Sequence, residues 1–540
     1  MIDRWYKNAI IYTINVGTFM DSNGDGVGDF GGLRDRLNHL TWLGVDCIWV
    51  QPFYPSPMQD YGYDVTDYYA AKPANGNLGE FVEFSQLARD KGIRILVDLP
   101  VNHTSDQHPW FQEARRDRRS RFRDFYVWSE TEPSETDKGV AFPGFQQRIW
   151  TYDDTAHAWY FHRFYRHQPD LNITNPSVRD EIKRIMGFWL KLGVSGFRID
   201  AAHFLVDEVR PDGSVVRHYK YLEEFREFLS WRQGDAVMLA EAHVDLDEIP
   251  HFLGRGRMQM GFAFQPNQYV FLALATGDSK PLIEGMKRMP HLDHTGQWAQ
   301  FLRNHDELDL SDLSPDERQR VLKAFAPDPN MQIFGRGIRR RLAPMLGNDR
   351  RRLELANSLM FSLPGTPVIY YGDEIGMGED LSLEERWPVR TCMQWSDAPS
   401  GGFSTAPPGE LLHPMIHNGA FGVETVNVDE QRRDPDSLLN WMRQLCDIRK
   451  SCPEIGWGEM EIIETDDDAM LALHYRWQGG KVLLLHNLAD VARGVRLELK
   501  EEEAGELVDL FGNQVYPRES GASRTIELDG YGYRWFRVRQ

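Results

Sequence analysis

Cysteine is scarce. Cys47, Cys392, Cys446 and Cys452 are the only four in 540 residues, and none forms a CxxC pair. Neither a zinc cluster nor a disulfide framework is written into such a pattern. Long apolar runs are missing as well, and the N-terminus, MIDRWYKNAIIYTINV, lacks the basic-then-apolar order of a secretion signal. The expectation is a cytoplasmic protein with no membrane partner. Positive charge is in deficit: the formal net charge is -20. That argues against nucleic acid or an anionic membrane as partner and favours a small, neutral substrate. The local basic runs EARRDRRSRFRD from Glu113 and RGIRRRLAPMLGNDRRRLE from Arg336 fit solvated faces or ion-pair partners.

What is present is an ordinary folding composition, 41% hydrophobic and 12% aromatic, on a chain long enough for a large core and more than one domain. A short apolar run ending in polar or charged residues recurs in GVDCIWVQPF (44–53), GIRILVDLPVNH (92–103), GVSGFRIDAAHF (193–204), AVMLAEAH (236–243) and GTPVIYYGDE (365–374). Such runs suit parallel strands buried on both faces. Helical patterns lie between them, as in GLRDRLNHLTWL, EFVEFSQLARDK and VRDEIKRIMGFWLKL. Alternating strand and helix implies βαβ units. No GxGxxG follows the first strand and the rhythm continues for most of the chain, so a (β/α)8 barrel is expected rather than an open sheet.

Two regions break the rhythm. Residues 104–175 turn irregular, polar and aromatic, as an inserted subdomain after the third strand would. Past residue 454 the pattern becomes alternating, with AMLALHYRW and KVLLLHNL flanking Gly479-Gly480, as in an antiparallel β-sandwich. The expected organisation is a barrel over 1–103 and 176–453, a subdomain over 104–175 and a β-sandwich domain over 454–540.

The chemistry-bearing residues gather at the ends of the apolar runs. In GFRIDAAHF, Arg198 and Asp200 are two apart on a strand and share a face; a guanidinium beside a carboxylate keeps it ionised and oriented. In MLAEAH, Glu241 ends a buried run, where its proton affinity would rise and suit an acid. FLRNHDE supplies His305 and Asp306, and VDLPVNHTS supplies Asp98, Asn102 and His103.

Taken together and in this order, DLPVNH, GFRIDAAHF, LAEAH and FLRNHD resemble the four signature regions of the α-amylase family, glycoside hydrolase family 13. The resemblance implies that Asp200 is a nucleophile, Glu241 the general acid/base and Asp306 a third carboxylate that grips sugar hydroxyls. It also implies that Asp60, Tyr63, His103, His305 and Arg390 bind the sugar and that Arg198 orients Asp200. The reaction implied is a retaining double displacement through a covalent β-glucosyl-enzyme, with the two carboxyls roughly 5–5.5 Å apart. QPDLN, residues 168–172, resembles the fingerprint of the oligo-1,6-glucosidase branch, whose members act on short α-glucosides such as maltose or trehalose and include dimers. Ala201, small, follows the nucleophile, which in this branch accompanies α-1,4 or α-1,1 rather than α-1,6 activity.

Several stretches, FHRFYRHQPDLN and GTPVIYYGDEIGMG among them, are most similar to the trehalose synthases of that branch, which interconvert maltose and trehalose. The Arg-rich segment 320–352 would then serve as a lid over the site. Ala242, His243, His203 and Cys392 depart from the trehalose synthase pattern. Isomerase, hydrolase and transglucosidase outcomes all stay open on the sequence. A catalytically dead sugar-binding subunit is disfavoured, because all three carboxylates are kept.

DSNGDGVGDFGG, residues 21–32, first suggests an EF-hand loop: Asp21, Asn23 and Asp25 occupy positions 1, 3 and 5 and Gly26 position 6. Position 12 is Gly32 instead of Glu, and a strand, not a helix, lies upstream. The loop resembles the DxNxDGxGD calcium loop of the glucosidase branch. That resemblance implies a structural Ca2+ held by Asp21, Asn23, Asp25 and Asp29 and by the Val27 carbonyl, with no organic cofactor.

Overall fold

The structure is a computed structural model that describes residues 4–539 apart from 135, 138, 211, 255, 499–504, 513–514 and 517–522. Eight parallel strands close into a barrel: β1 (Ile11–Ile14), β2 (Cys47–Val50), β3 (Arg94–Leu99), β4 (Gly196–Ile199), β5 (Val237–Ala240), β6 (Met260–Phe262), β7 (Gln297–Phe301) and β8 (Thr366–Tyr370). Each strand pairs with the next, and β8 pairs with β1. The (β/α)8 barrel expected from the sequence is therefore the fold.

Alternation along each strand divides the side chains between two cores. Ile11, Trp49, Leu96, Leu239, Phe262, Phe301 and Val368 fill the barrel interior. Tyr12, Ile48, Ile95, Phe197, Met238 and Ile369 face the helical layer. By the same parity Asp98 shares the inward face with Leu96. Arg198 pairs in register with Asp98 on one side and Leu239 on the other, so the interior acquires its charged layer at the C-terminal end.

The helices start where short polar side chains cap them. Asp29 accepts the Gly32 amide ahead of the helix Phe30–Leu43, and Gly44, at φ 95°, ends that helix. Asn77 and Glu80 form a capping box for Leu78–Asp90. Asn175 with Pro176 opens Pro176–Lys191. Two details differ from the sequence expectation. The first barrel helix begins at Phe30 instead of near Gly32, and a helical turn, Val16–Phe19, separates β1 from the 21–32 loop. Strand β6 carries no sequence signal of its own, being three residues long with no charged end.

Three structures cover the C-terminal face of the barrel. A small antiparallel sheet, Trp128–Ser129, Trp150–Asp153 and Ala158–Phe161, lies in the insert after β3. The hairpin Asp207–Val209/Val215–Arg217 follows β4. Within 320–352, Gln332–Ile333 and Gly337–Ile338 form a hairpin that also pairs with Leu308–Asp309. Its turn places Phe334 at φ 55°, and Phe334 packs on Phe142 of the insert with ring centroids 5.2 Å apart. Ile333 and Phe164 extend this apolar clasp.

The C-terminal domain packs a six-stranded antiparallel sheet against a two-stranded one, with Leu483, Leu485, Val495, Ile526 and Phe536 between them. Trp535 Nε1 and His486 Nε2 both meet Ser358 Oγ, at 2.9 Å each, and fix the domain to the barrel's helical layer. No helix of the described residues is long and apolar enough to cross a membrane.

Gly196 marks the closest approach in the layer below the charged end of the barrel. A Cβ there would stand 2.1 Å from the Val237 carbonyl oxygen, and backbone cannot yield as a flexible side chain would. Gly196→Ala is expected to cost more than about 1 kcal/mol and to lower the urea midpoint. An unchanged midpoint would contradict the tight β4–β5 packing.

Candidate active site

The residues that follow the barrel strands surround a cavity of about 290 Å³, near the lower end of small-ligand pockets. Asp60, Tyr63, His103, Asp200, Glu241 and Asp306 line it, with Phe142, Phe164, Phe264, Arg336 and Arg386 among the walls.

Arg198, 1% exposed, is the hub. Its Nη1 donates to Asp98 Oδ1 at 2.8 Å and to Asp200 Oδ1 at 2.5 Å, and its Nη2 meets Glu241 Oε2 at 2.8 Å. Three carboxylates from the ends of β3, β4 and β5 thus share one guanidinium. Glu241 Oε2 also accepts the Ala201 amide at 2.9 Å. To supply that amide Ala201 adopts a left-handed backbone at φ 45°, a conformation that costs a non-glycine residue of order 1–3 kcal/mol. Both contacts fall on Oε2, none among the described residues falls on Oε1, and 23% of the Glu241 side chain is exposed, against 10% for Asp200.

One cation cannot neutralise three carboxylates. Burial and the Glu241 charge push Asp98 up to about 6 in spite of Arg198. Burial likewise pushes Asp200 up, with Glu241 and Asp98 adding to it and Arg198 opposing. The cluster therefore holds a proton near neutrality, and its protons leave as a group rather than residue by residue.

Asp306 is treated differently. Its Oδ1 meets Arg386 Nη1 at 2.8 Å and Arg390 Nη2 at 3.1 Å, and its Oδ2 lies 3.1 Å from His305 Nε2. Burial would raise Asp306, but His305 and the guanidinium groups of Arg386, Arg390 and Arg198 outweigh it and hold the carboxyl well below the usual range. Arg386 also reaches Asp60 Oδ1 at 3.1 Å, and Gln168 of QPDLN donates to Asp60 Oδ2 at 2.8 Å. Tyr63 OH bridges Asp98 Oδ2 at 3.1 Å and His305 Nε2 at 2.7 Å, its ring 6° from parallel with that imidazole. Burial lowers His103 to about 4, so it is neutral, with Nε2 3.2 Å from the Tyr63 carbonyl.

The sequence-derived set thus comes together, in two layers. Asp60, Tyr63, His103, Asp200, Glu241 and Asp306 line the cavity. Arg198, His305 and Arg390 stand behind it, 1%, 0% and 1% exposed. His305 Nε2 meets Tyr63 OH and Asp306 Oδ2, and Arg390 donates to the His305 carbonyl and Asp306 Oδ1, so both sit behind the side chains that line the cavity. Of the two neighbouring arginines, Arg386 and not Arg390 lines the cavity, and sequence reasoning did not single it out. Glu307, pushed up to about 7 mainly by burial, and the clasp residue Phe142 were also missed.

In the 21–32 loop, Asp21 accepts the amides of Asn23, Gly24 and Gly26 and the Ser404 hydroxyl. Asn23 accepts from Asp25, and Asp25 from Val27. Asp29 caps Phe30–Leu43 and holds Ser22. The donor set is all oxygen and fits a hard cation. Among the described residues no three His, Cys, Asp or Glu side chains converge as a metal site, so a cation here would draw on Asn23 and backbone oxygen as well as carboxylates.

The α-amylase catalytic-domain model matches residues 12–327 and 330–458, and that of a sucrose hydrolase-like C-terminal domain matches 479–537. A trehalose synthase from Pimelobacter sp. (strain R48) is 38% identical over 550 residues, covering 99% of this chain and 96% of the relative. The trehalose synthase/amylase TreS of Mycobacterium tuberculosis (strain ATCC 25618 / H37Rv) is 38% identical over 543 residues, covering 99% and 90%. Among solved structures, the α-amylase from H. orenii superposes with a TM-score of 0.79 at 26% identity, covering 99% of this chain and 100% of that one.

Arg198→Met would strand buried carboxylates, at an expected cost of about 3–5 kcal/mol near pH 7.5. With their cation gone, these acids bind protons more tightly folded than unfolded, so stability falls as pH rises from the ordinary carboxylate range through the folded values. Asp98 already stands near 6 with the cation present. The loss should therefore be clearly smaller at about pH 5, as measured by urea unfolding at both pH values. An equal loss at both would sink this account of the cluster.

Proposed function

The chain belongs to the α-amylase family, and on that footing we propose that it moves an α-glucosyl unit of a short α-glucoside through a covalent β-glucosyl-enzyme, with trehalose synthase-like interconversion of maltose and trehalose as its reaction. The observation that carries this reading is the pairing of Asp200 and Glu241 on one guanidinium inside a cavity of about 290 Å³. Two carboxyls spanned by one guanidinium suit a nucleophile–acid pair better than the wider gap that admits a water between them.

The steps follow from the bonds already in place. Asp60, Tyr63, His103, Asp306 and Arg386 receive the terminal glucose. Glu241 gives its Oε1 proton to the glycosidic oxygen as the C1–O bond breaks. Asp200, its Oδ1 held by Arg198, attacks C1 with Oδ2 and forms the β-glucosyl ester. The ionised Asp306 accepts hydrogen bonds from sugar hydroxyls and stabilises the positive charge that develops on the ring. Glu241, now a carboxylate, takes the proton of the acceptor hydroxyl, whose oxygen displaces Asp200 from C1 and restores the α configuration. If the acceptor is the released glucose, turned to offer its 1-hydroxyl, the product is trehalose; if it is water, the product is glucose. The contact of Phe142 with Phe334 over the mouth favours retention of the sugar. We assign that role to the hairpin within 320–352.

A second reading, an α-glucosidase-type hydrolase or transglucosidase, has its own support. Ala242 and His243 stand immediately after Glu241, where the trehalose synthase pattern has other residues. Chromatography of products from maltose, trehalose and sucrose separates the two. Trehalose as the main product from maltose supports the first reading, and free glucose from the start selects the second. Asp200→Asn should lower turnover by at least about 1,000-fold with the fold intact. Glu241→Gln should spare p-nitrophenyl α-glucoside, whose leaving group needs no acid, far more than maltose. Retained turnover in Asp200→Asn would refute the nucleophile.

For the 21–32 loop we infer a structural Ca2+, held by Asp21, Asn23, Asp25 and Asp29 and the Val27 carbonyl, that pins the segment between β1 and its helix. Chelation should lower the melting temperature and release one calcium per chain. Unchanged melting and metal content would overturn the assignment.

A further inference from the structure

The polar side chains around the cavity form two networks that share no member. One runs from Asp60 through Arg386, Asp306, His305, Tyr63 and Asp98 to Arg198, Asp200 and Glu241. It accounts for glucose binding and bond cleavage. The other has no part in that chemistry. His243, two residues past Glu241, lines the cavity and stacks on Phe264, with centroids 5.1 Å apart and planes at 18°. Its Nε2 lies 2.8 Å from Asp312 Oδ2, which Gln268 also holds, and its Nδ1 lies 3.9 Å from Asp309 Oδ2. Asp309 Oδ2 in turn accepts from Arg336 Nε at 3.2 Å, and Arg336 Nη2 donates to the Ala141 carbonyl at 3.0 Å. Ala141 adjoins Phe142, and Arg336 belongs to the hairpin that carries Phe334, so this network crosses the mouth of the cavity.

We propose that His243 is a specificity-determining positioning residue: through Asp309 and Arg336 its protonation holds the clasp over the acceptor side, and so sets how the glucosyl group is divided between a sugar and water. This deepens the function proposed above and rests on it.

The physical argument is a charge count. The charged and titratable groups around His243 and its partners are Asp309 and Asp312 from the segment after β7, Glu307 on that segment, whose Oε1 lies 3.7 Å from Arg336 Nη2, Arg336 from the hairpin, His203 after β4 and Glu241 on its own segment. The helix Phe264–Thr276 contributes Phe264 and Gln268. Burial would lower the imidazole, but the hydrogen bond and charge of Asp312, with Asp309, outweigh burial and Arg336 and raise it. Protonated, His243 neutralises one of the two aspartates, and Arg336 is free to span Asp309 and the Ala141 carbonyl. When the proton leaves, Arg336 stays 3.2 Å from Asp309 Oδ2 with no second charge from His243 to share the two aspartates. It is then drawn toward them and away from Ala141, which loosens the contact between hairpin and insert. Water then competes better for the glucosyl-enzyme, so the partition moves toward hydrolysis as pH rises.

The test uses the full chain with maltose and reads the ratio of transferred to hydrolysed glucosyl groups between about pH 6 and about pH 8.5. This ratio is taken per turnover and does not depend on how much enzyme is folded. The wild-type ratio should fall by roughly tenfold over that range, the scale of one hydrogen bond to a charged group. His243→Asn should give a low ratio with no pH slope, and Asp309→Asn should lower the ratio while His243 stays in place. A flat wild-type ratio, or a slope that survives in His243→Asn, would overturn the inference. Release of p-nitrophenol from p-nitrophenyl α-glucoside reports formation of the glucosyl-enzyme. If it occurs and the ratio is flat, this inference alone fails; if it does not occur, the proposed function fails and takes the inference with it.

Discussion

The site depends on one buried guanidinium. Arg198 touches Asp98, Asp200 and Glu241 at once, and without it three carboxylates would face one another in a medium too poor in water to separate their charges. The barrel is what makes the arrangement possible. Adjacent parallel strands deliver Asp98 and Arg198 in register, β5 brings Glu241 alongside, and the interior below is filled by Trp49, Leu96, Leu239 and Phe262, so none of the four groups can retreat. The price is paid locally, in the left-handed Ala201, whose amide takes one Glu241 oxygen and leaves the other for chemistry.

A second set of cations makes the third carboxylate unlike the first two. Arg386 and Arg390 flank Asp306 and keep it ionised, whereas Asp98 and Asp200 are pushed upward by burial and by the Glu241 charge. Two carboxyl environments of opposite sense thus meet around one small cavity, one where burial favours the proton and one where cations hold the negative charge. The same division explains why Arg386 faces the cavity and Arg390 does not. Arg390 is used up on the His305 carbonyl and Asp306, while Arg386 spans the gap to Asp60.

Much of this was legible in the sequence because the barrel strands with chemistry end in charge. VDLPVNH, GFRID and LAEAH each show a buried run and its functional residue together, so the strand and the site are read from the same letters. Where a strand carries no such end, as in Met260–Phe262, neither was read. Depth was less legible than identity. His305 and Arg390 stand behind the side chains that line the cavity, and sequence gives the neighbours of a residue along the chain, not the layer in which its side chain ends. Which of two arginines four apart faces a cavity is decided by the 3-10 turn Trp387–Val389 between them, not by their spacing. The clasp was out of reach for a related reason: Phe142 and Phe334 come from segments far apart in the chain, and neither has a local pattern that names its partner.

On the proposed function, the outcome of the reaction rests with groups that carry little sequence signature. Cleavage follows from Arg198 and its carboxylates, which would serve a hydrolase and a glucosyl transferase equally. What differs between those outcomes is whether water reaches the glucosyl-enzyme before a sugar does. The side chains to which the proposal assigns access, His243, Asp309, Arg336 and the Phe142–Phe334 pair, belong to four separate segments joined only in the folded protein. A hydrogen bond across a cavity mouth contributes little to the stability of a chain this large, but it acts on a competition where a small difference in free energy becomes a large ratio of products.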